Sequence, residues 1–283
     1  MFDRIISIDW SGKGRDEDPV GMRIADCQGL ADAGRIQPPP NAARRRSWRR
    51  SECRTFLQNA LSKDERTLVA MDFGFGLPWG SDQAIFGVKG WREMIRQIAS
   101  LYAKVNKARK VAETINAFPQ FNDHGPYRFN ECRTDCRFYL DSGVAYYRLT
   151  ELAAPQAMSQ WYMGSGGTVA FSTITGLSAI NHLIDLREKG RLKFAVWPME
   201  LVSPGQHVLV ESYPAICPPC IESNQWQGND ERDAWKVLRY LRSANMAGDI
   251  ESWFELPVLP FGRINNVACT DQIRFEGAIF GLR

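Results

Sequence analysis

Three short apolar runs each close on an acid: Ile5-Ile-Ser-Ile-Asp9, Leu68-Val-Ala-Met-Asp72 and Val208-Leu-Val-Glu211. A single strand-terminal carboxylate is an ordinary turn former. In an open α/β sheet, however, ligands bind in the crevice outside the carboxyl ends of the strands. Acids gathered there raise one another's pKa and resist joint burial unless a cation neutralises them. For clustered hard oxygen donors the natural cation is Mg²⁺ or Mn²⁺. A second acidic group, Asp230 and Asp233, opens a helical stretch near the C-terminus, on the face that continues through Ala234, Val237 and Leu241. The plainer reading makes Asp230 an N-cap and Asp233 a first-turn acid favoured by the helix dipole.

Positive groups that could meet an anionic substrate are local, because 35 Lys and Arg against 32 Asp and Glu leave a net charge of only +3. Lys13 follows the Ser11-Gly12 turn. Arg44, Arg45 and Arg46 precede Trp48, a combination that can track a phosphate backbone while a base stacks on the ring, or form a plain solvated loop. A segment mixing Phe118, Phe121, Tyr127, Phe129, Tyr139, Tyr146, Tyr147, Trp161 and Tyr162 with Arg128, Arg133, Arg137 and Arg148 is a further candidate, although rings of this kind more often fill a core. Three histidines give zinc-hydrolase or Ser-His-Asp chemistry little to build on. The seven cysteines include two closely spaced pairs, Cys132/Cys136 and Cys217/Cys220, which read as reduced thiols rather than as one zinc site.

The elements that must position these groups follow from periodicity. Arg4–Asp9, Thr67–Asp72, Leu192–Trp197 and His207–Glu211 read as buried strands, with Val20–Ala25 and a weaker piece near Arg35 as antiparallel companions. Helical stripes run from a Ser51 cap to about Leu61, through Trp91, Met94, Ile95, Ile98 and Tyr102, through Ile174, Leu177, Ile180 and Ile184 after the Gly164–Gly167 loop, and through Ala234, Val237, Leu238 and Leu241. The tail Phe275–Phe280 reads as a closing strand or an irregular plug. The expectation is one α/β domain over 1–283, a mixed five-stranded sheet flanked by helices, with a mostly helical, aromatic insert or lid at about 81–163. No apolar run is long enough for a membrane span and the N-terminal stretch has no signal-peptide core, so a soluble, cytoplasmic protein is expected.

The order strand–strand–strand–helix–strand, with acids ending the first and fourth strands, is similar to the ribonuclease-H-like superfamily. Ile8-Asp9-Trp-Ser-Gly12, Met71-Asp72-Phe-Gly-Phe-Gly-Leu-Pro78, Val210-Glu211-Ser-Tyr-Pro214, Asp230-x-x-Asp233-Ala234 and Glu276-Gly277 resemble more closely the motifs of domain-of-unknown-function family 429, a set of ribonuclease-H-like nucleases. The resemblance implies that Asp9, Asp72, Glu211 and Asp233, with Asp230 in support, hold divalent ions. It also implies phosphodiester hydrolysis of nucleic acid by a two-metal-ion mechanism, with Asp9 bridging. Two other readings stand beside it. Asp9-Trp-Ser-Gly-Lys-Gly14 is reminiscent of the first phosphate turn of sugar and acetate kinases, implying an ATP-dependent phosphotransferase. A non-catalytic nucleic-acid-binding or scaffold protein on the same fold is the third.

Overall fold

The computed structural model describes residues 1–29, 31–121, 125–128, 144–154, 156–164, 168–219, 228–257 and 269–282. Its centre is a mixed sheet of β1 (Arg4–Asp9), β2 (Arg23–Gln28), β3 (Arg35–Gln37), β4 (Thr67–Met71), β5 (Phe194–Val196) and β6 (His207–Glu211), in the order β3-β2-β1-β4-β6-β5. β1, β2 and β3 pair antiparallel, whereas β1, β4, β6 and β5 run parallel. Six strands stand where five were expected, because both short edge segments find a hydrogen-bonding neighbour. β2 begins later than Val20 because its register is fixed by Ile8 opposite Ile24; Val20 and Met22 enter the core from the preceding loop.

Side chains on a strand alternate between the two faces of the sheet, and here each face has its own core. Ile6, Ile8, Ile24, Val69, Met71 and Leu209 pack beneath α1 (Arg50–Leu61), α3 (Trp91–Val105), α4 (Ala108–Asn116) and α6 (Ala170–Glu188). Ile5, Ala25, Leu68, Ala70, Val208 and Val210 belong to a second core, in which α7 (Asn229–Ala247) packs on β1 and β2 through an apolar stripe of Val237, Leu238 and Leu241, and Leu149, Trp197, Ile273 and Phe280 add to it. Two shorter helices, α2 (Ser81–Phe86) and α5 (Leu149–Ala153), lie in the long connection, and of the tail expected as a closing strand or an irregular plug, Phe275 and Glu276 end α8 (Cys269–Glu276) while Gly277–Phe280 is irregular. After α8 the chain returns to the sheet edge through a single bridge between Ile279 and Glu211. Ser51 lies inside α1; Glu52 caps that helix by accepting the Arg49 N–H.

The segment expected as a lid is in large part a structural layer. α3 and α4 share one core with α6, and Phe121, Tyr127, Tyr146 and Trp161 are buried in it. Phe129, Arg133, Arg137, Tyr139 and the Cys132/Cys136 pair lie outside the described residues, as do Cys220 and most of the Gly164–Gly167 loop. Among the described residues no helix is long and apolar enough to cross a membrane.

Gly176 marks the tightest contact between α6 and the end of β4. A Cβ there would lie 2.4 Å from a ring carbon of Phe73, the residue that follows Asp72. Helix propensity alone would make Gly176→Ala stabilising by about 1 kcal/mol, whereas forcing the ring aside costs roughly 1–3 kcal/mol. We expect net destabilisation, read as a lowered urea midpoint; a raised midpoint would show that Phe73 yields freely.

Candidate functional site

Strand alternation sends Asp9 to the same side of the sheet as Ile5, towards α7, whose first two turns carry Asp230 and Asp233. Asp72 directly follows β4 and its N–H donates to the Ile8 carbonyl, which fixes it beside Asp9 at the carboxyl ends of adjacent parallel strands. Asp9, Asp72 and Asp233 are half-buried, and Asp230 is exposed. The crowding is electrostatically visible. Burial, followed by the charges of Asp72, Asp230 and Asp233, pushes the Asp9 carboxyl up to about 9, against the pull of Arg23. Burial, followed by Asp233 and Glu211, pushes Asp72 up to about 8.

Asp9, Asp72 and Asp230 line a cleft of about 530 Å³. The rest of its lining has a different character. Ser11, Gly12 and Lys13, from the turn after β1, lie there beside Thr168, Val169, Phe171 and Ser172 at the start of α6. Among the described residues no side chain caps α6, and its N-terminal end, the positive end of its dipole, adjoins the cleft. The turn is pinned to α6: Ser172 Oγ donates to the Trp10 carbonyl at 3.1 Å, and the Trp10 indole donates to Thr175 Oγ1 at 3.0 Å. At Gly12 the two backbones meet so closely that a Cβ would lie 2.1 Å from the Phe171 carbonyl carbon, which excludes any larger residue.

The carboxylates suit a hard divalent cation in chemistry and in their shared excess of negative charge. Among the described residues, no three His, Cys, Asp or Glu side chains are drawn together closely enough to hold an ion as they stand. Binding there therefore entails a further approach of these side chains, which their mutual repulsion opposes until a cation intervenes.

Glu211 was expected with this group, and the structure gives it a different partner. It shares the face of Leu209, and both its oxygens accept from Arg148: Nη2 to Oε1 at 2.6 Å and Nη1 to Oε2 at 2.8 Å. The Phe75 N–H adds a third bond at 2.8 Å. Arg148 Nε also donates to Glu151 at 2.8 Å, and Nη1 to the Glu276 carbonyl at 2.9 Å. Glu276 in turn accepts the N–H groups of Leu149 and Trp79. This buried knot joins α5, α8, β6 and the loop after Asp72, and it ties Glu211 down. The sequence places Arg148 only among the arginines of the aromatic segment and passes over Glu151; their three-residue spacing, with Glu151 accepting the Arg148 N–H, is the signal for the pair.

The basic segment divides as well. Trp48 cannot present a ring to a base: it is 4% exposed, packs edge-on against Phe56 and donates its indole N–H to the Gln37 carbonyl. Arg45 is paired with Glu52, whereas Arg44 and Arg46 remain exposed. Met22 bridges to Trp48 and Arg23 donates to Ser47 Oγ, so this segment borders the Gly21 edge of the cleft. Comparison with protein-family models, with curated proteins and with solved structures gave no match.

Two measurements check these assignments. The folded chain binds the Asp9 and Asp72 protons more tightly than the unfolded chain does, so stability should fall as pH rises from about 4 through 8 to 9. Asp9→Asn should accordingly raise the melting temperature, and by more at pH 8 than at pH 5; an equal shift at both would show that the crowding carries no free energy. Arg148→Met should lower stability by roughly 3–5 kcal/mol in urea titration, because it leaves buried carboxylates without their counter-charge.

Proposed function

We propose that the chain is a divalent-metal-dependent phosphodiesterase acting on nucleic acid, a nuclease of the ribonuclease-H-like kind. The observation that carries this reading is the mixed lining of one cleft, which Asp9, Asp72 and Asp230 share with Ser11, Gly12, Lys13 and the start of α6. A phosphodiester attended by a cation matches both sets, with phosphate oxygens on the donors and the cation on the carboxylates. The strand order adds support. With edge strand β5 set aside, three antiparallel strands lead into parallel neighbours in the order β3-β2-β1-β4-β6, the arrangement that the ribonuclease-H-like resemblance implies.

In this reading Asp9, Asp72, Asp230 and Asp233 hold Mg²⁺ or Mn²⁺, and Glu211 braces the strand ends through Arg148 instead of ligating. The cation would polarise the phosphoryl oxygen and supply a water of lowered pKa. The chain's own residues bind and orient. Lys13 neutralises phosphate charge, the amides beside it donate to phosphoryl oxygens, and exposed Arg44 and Arg46 follow the next phosphates of a polyanion. A second reading has one observation in its favour. A glycine-bearing turn directly after β1 also suits a nucleotide's terminal phosphates, which would make the protein a phosphotransferase using ATP.

Calorimetric titration with Mn²⁺ should show binding by the wild type and a loss of about tenfold or more, ~1.4 kcal/mol, in Asp9→Asn. Labelled single-stranded DNA, RNA and ATP, each with Mg²⁺ or Mn²⁺, should separate the readings. Cleavage of a polynucleotide that disappears in Asp233→Asn supports the nuclease. Turnover of ATP alone supports the phosphotransferase, and no Mn²⁺ binding at millimolar concentration removes both.

A further inference from the structure

Arg50 is a wholly buried cation, 0% exposed, that touches none of the cleft carboxylates. Its Nη1 donates to the carbonyls of Ser11 and Lys13, each at 2.8 Å, and its Nη2 to the carbonyl of Gly14 at 2.9 Å. Nε is held by Asp16 Oδ1 at 2.9 Å, and Tyr102 Oη accepts from Nη2 at 3.2 Å while donating to the same Asp16 oxygen at 2.7 Å. One guanidinium therefore gathers three of the four carbonyls of the turn after β1.

Across a trans peptide the N–H points opposite to the carbonyl. With the carbonyls of Ser11, Lys13 and Gly14 turned to Arg50, the N–H groups of Gly12, Gly14 and Arg15 point away from it. The Arg15 N–H already shows what such an amide takes: it donates to a carboxylate oxygen, Asp18 Oδ2, at 2.6 Å. The Gly12 N–H meets no acceptor among the described residues, and Gly12 and Lys13 line the same cleft as Asp9. Lysine in place of Arg50 would offer three donors from one point, which cannot span acceptors that a planar fork reaches together.

We infer that Arg50 is a positioning residue that shapes the turn after β1 into a seat for a substrate phosphate, with the Gly12 amide and Lys13 supplying the contacts. The inference rests on the phosphodiesterase reading for its substrate and extends it to a residue outside the cleft. It separates the seat from the metal site: Arg50 governs how phosphate is held, and the carboxylates govern the cation.

The test compares wild type, Arg50→Lys and Lys13→Ala for Mn²⁺ affinity by calorimetry and for Mn²⁺-dependent hydrolysis of bis(p-nitrophenyl) phosphate. A seat predicts near-unchanged Mn²⁺ affinity and a KM raised about tenfold in both variants, with kcat less affected. A lower melting temperature in Arg50→Lys with KM unchanged would assign Arg50 to stability alone and overturn the inference. Should Arg50→Lys fail to fold, the wild type decides. On titration with dimethyl phosphate, the Gly12 amide ¹⁵N and ¹H resonances should shift saturably; no shift overturns the seat. A saturable shift in a protein that neither binds Mn²⁺ nor hydrolyses the diester would retain the seat and overturn the phosphodiesterase reading.

Discussion

The two-residue period of a β-strand is the constraint on which this molecule turns. It divides every central strand into one series of side chains beneath α1, α3, α4 and α6 and another on the α7 side, so the sheet is apolar on both faces. It also decides the company each strand-terminal acid keeps. Asp9 comes out on the α7 side and meets Asp230 and Asp233. Glu211 belongs to the face of Leu209 and meets Arg148. Residues of nearly the same type, at the same edge of the sheet, thus enter different electrostatic environments. One is crowded by like charges and the other is neutralised by a bidentate arginine.

The two environments need each other. A cluster of carboxylates is self-repelling, and the chain segments bearing it must be held by something other than their own attraction. The Arg148 knot supplies that restraint at β6 and the loop after Asp72, and Arg50 supplies it at the turn after β1. Each is a buried arginine whose donors are spent largely on backbone carbonyls and carboxylates from segments distant in the chain. Such groups contribute modestly to net stability but specify one arrangement strongly, because any displacement strands a charge in the interior.

The strands and the long helices were legible in the sequence because apolar periodicity is local information. Asp9 and Asp72 were legible for the same reason, each ending an apolar run. Glu211 looked equivalent, but its direction depends on the register and neighbours of β6, which no local pattern encodes. Trp48 sat in a basic run and looked like a stacking platform; its burial against Phe56 is a tertiary fact. Arg50 follows Trp48 in the same basic stretch, whose pattern fits a phosphate-tracking segment and a solvated loop equally. Nothing near it announces that the acceptors awaiting its guanidinium lie between Ser11 and Asp16, in a loop that precedes β2. The edge strands β3 and β5 were faint because three residues carry too little pattern to stand out.

That the β1 and β2 part of one sheet face is covered by α7 has a consequence for how the polypeptide is made. During synthesis β1 and β2 leave the ribosome well before Asn229–Ala247, so Ile5 and Ala25 wait for their covering helix longer than the opposite face waits for α1, α3, α4 and α6. An exposed apolar sheet of this kind is a natural client for chaperones and a natural seed for aggregation. The same late helix brings Asp230 and Asp233 to Asp9. Cover for the second core and completion of the acidic cluster therefore arrive together, once α7 has emerged.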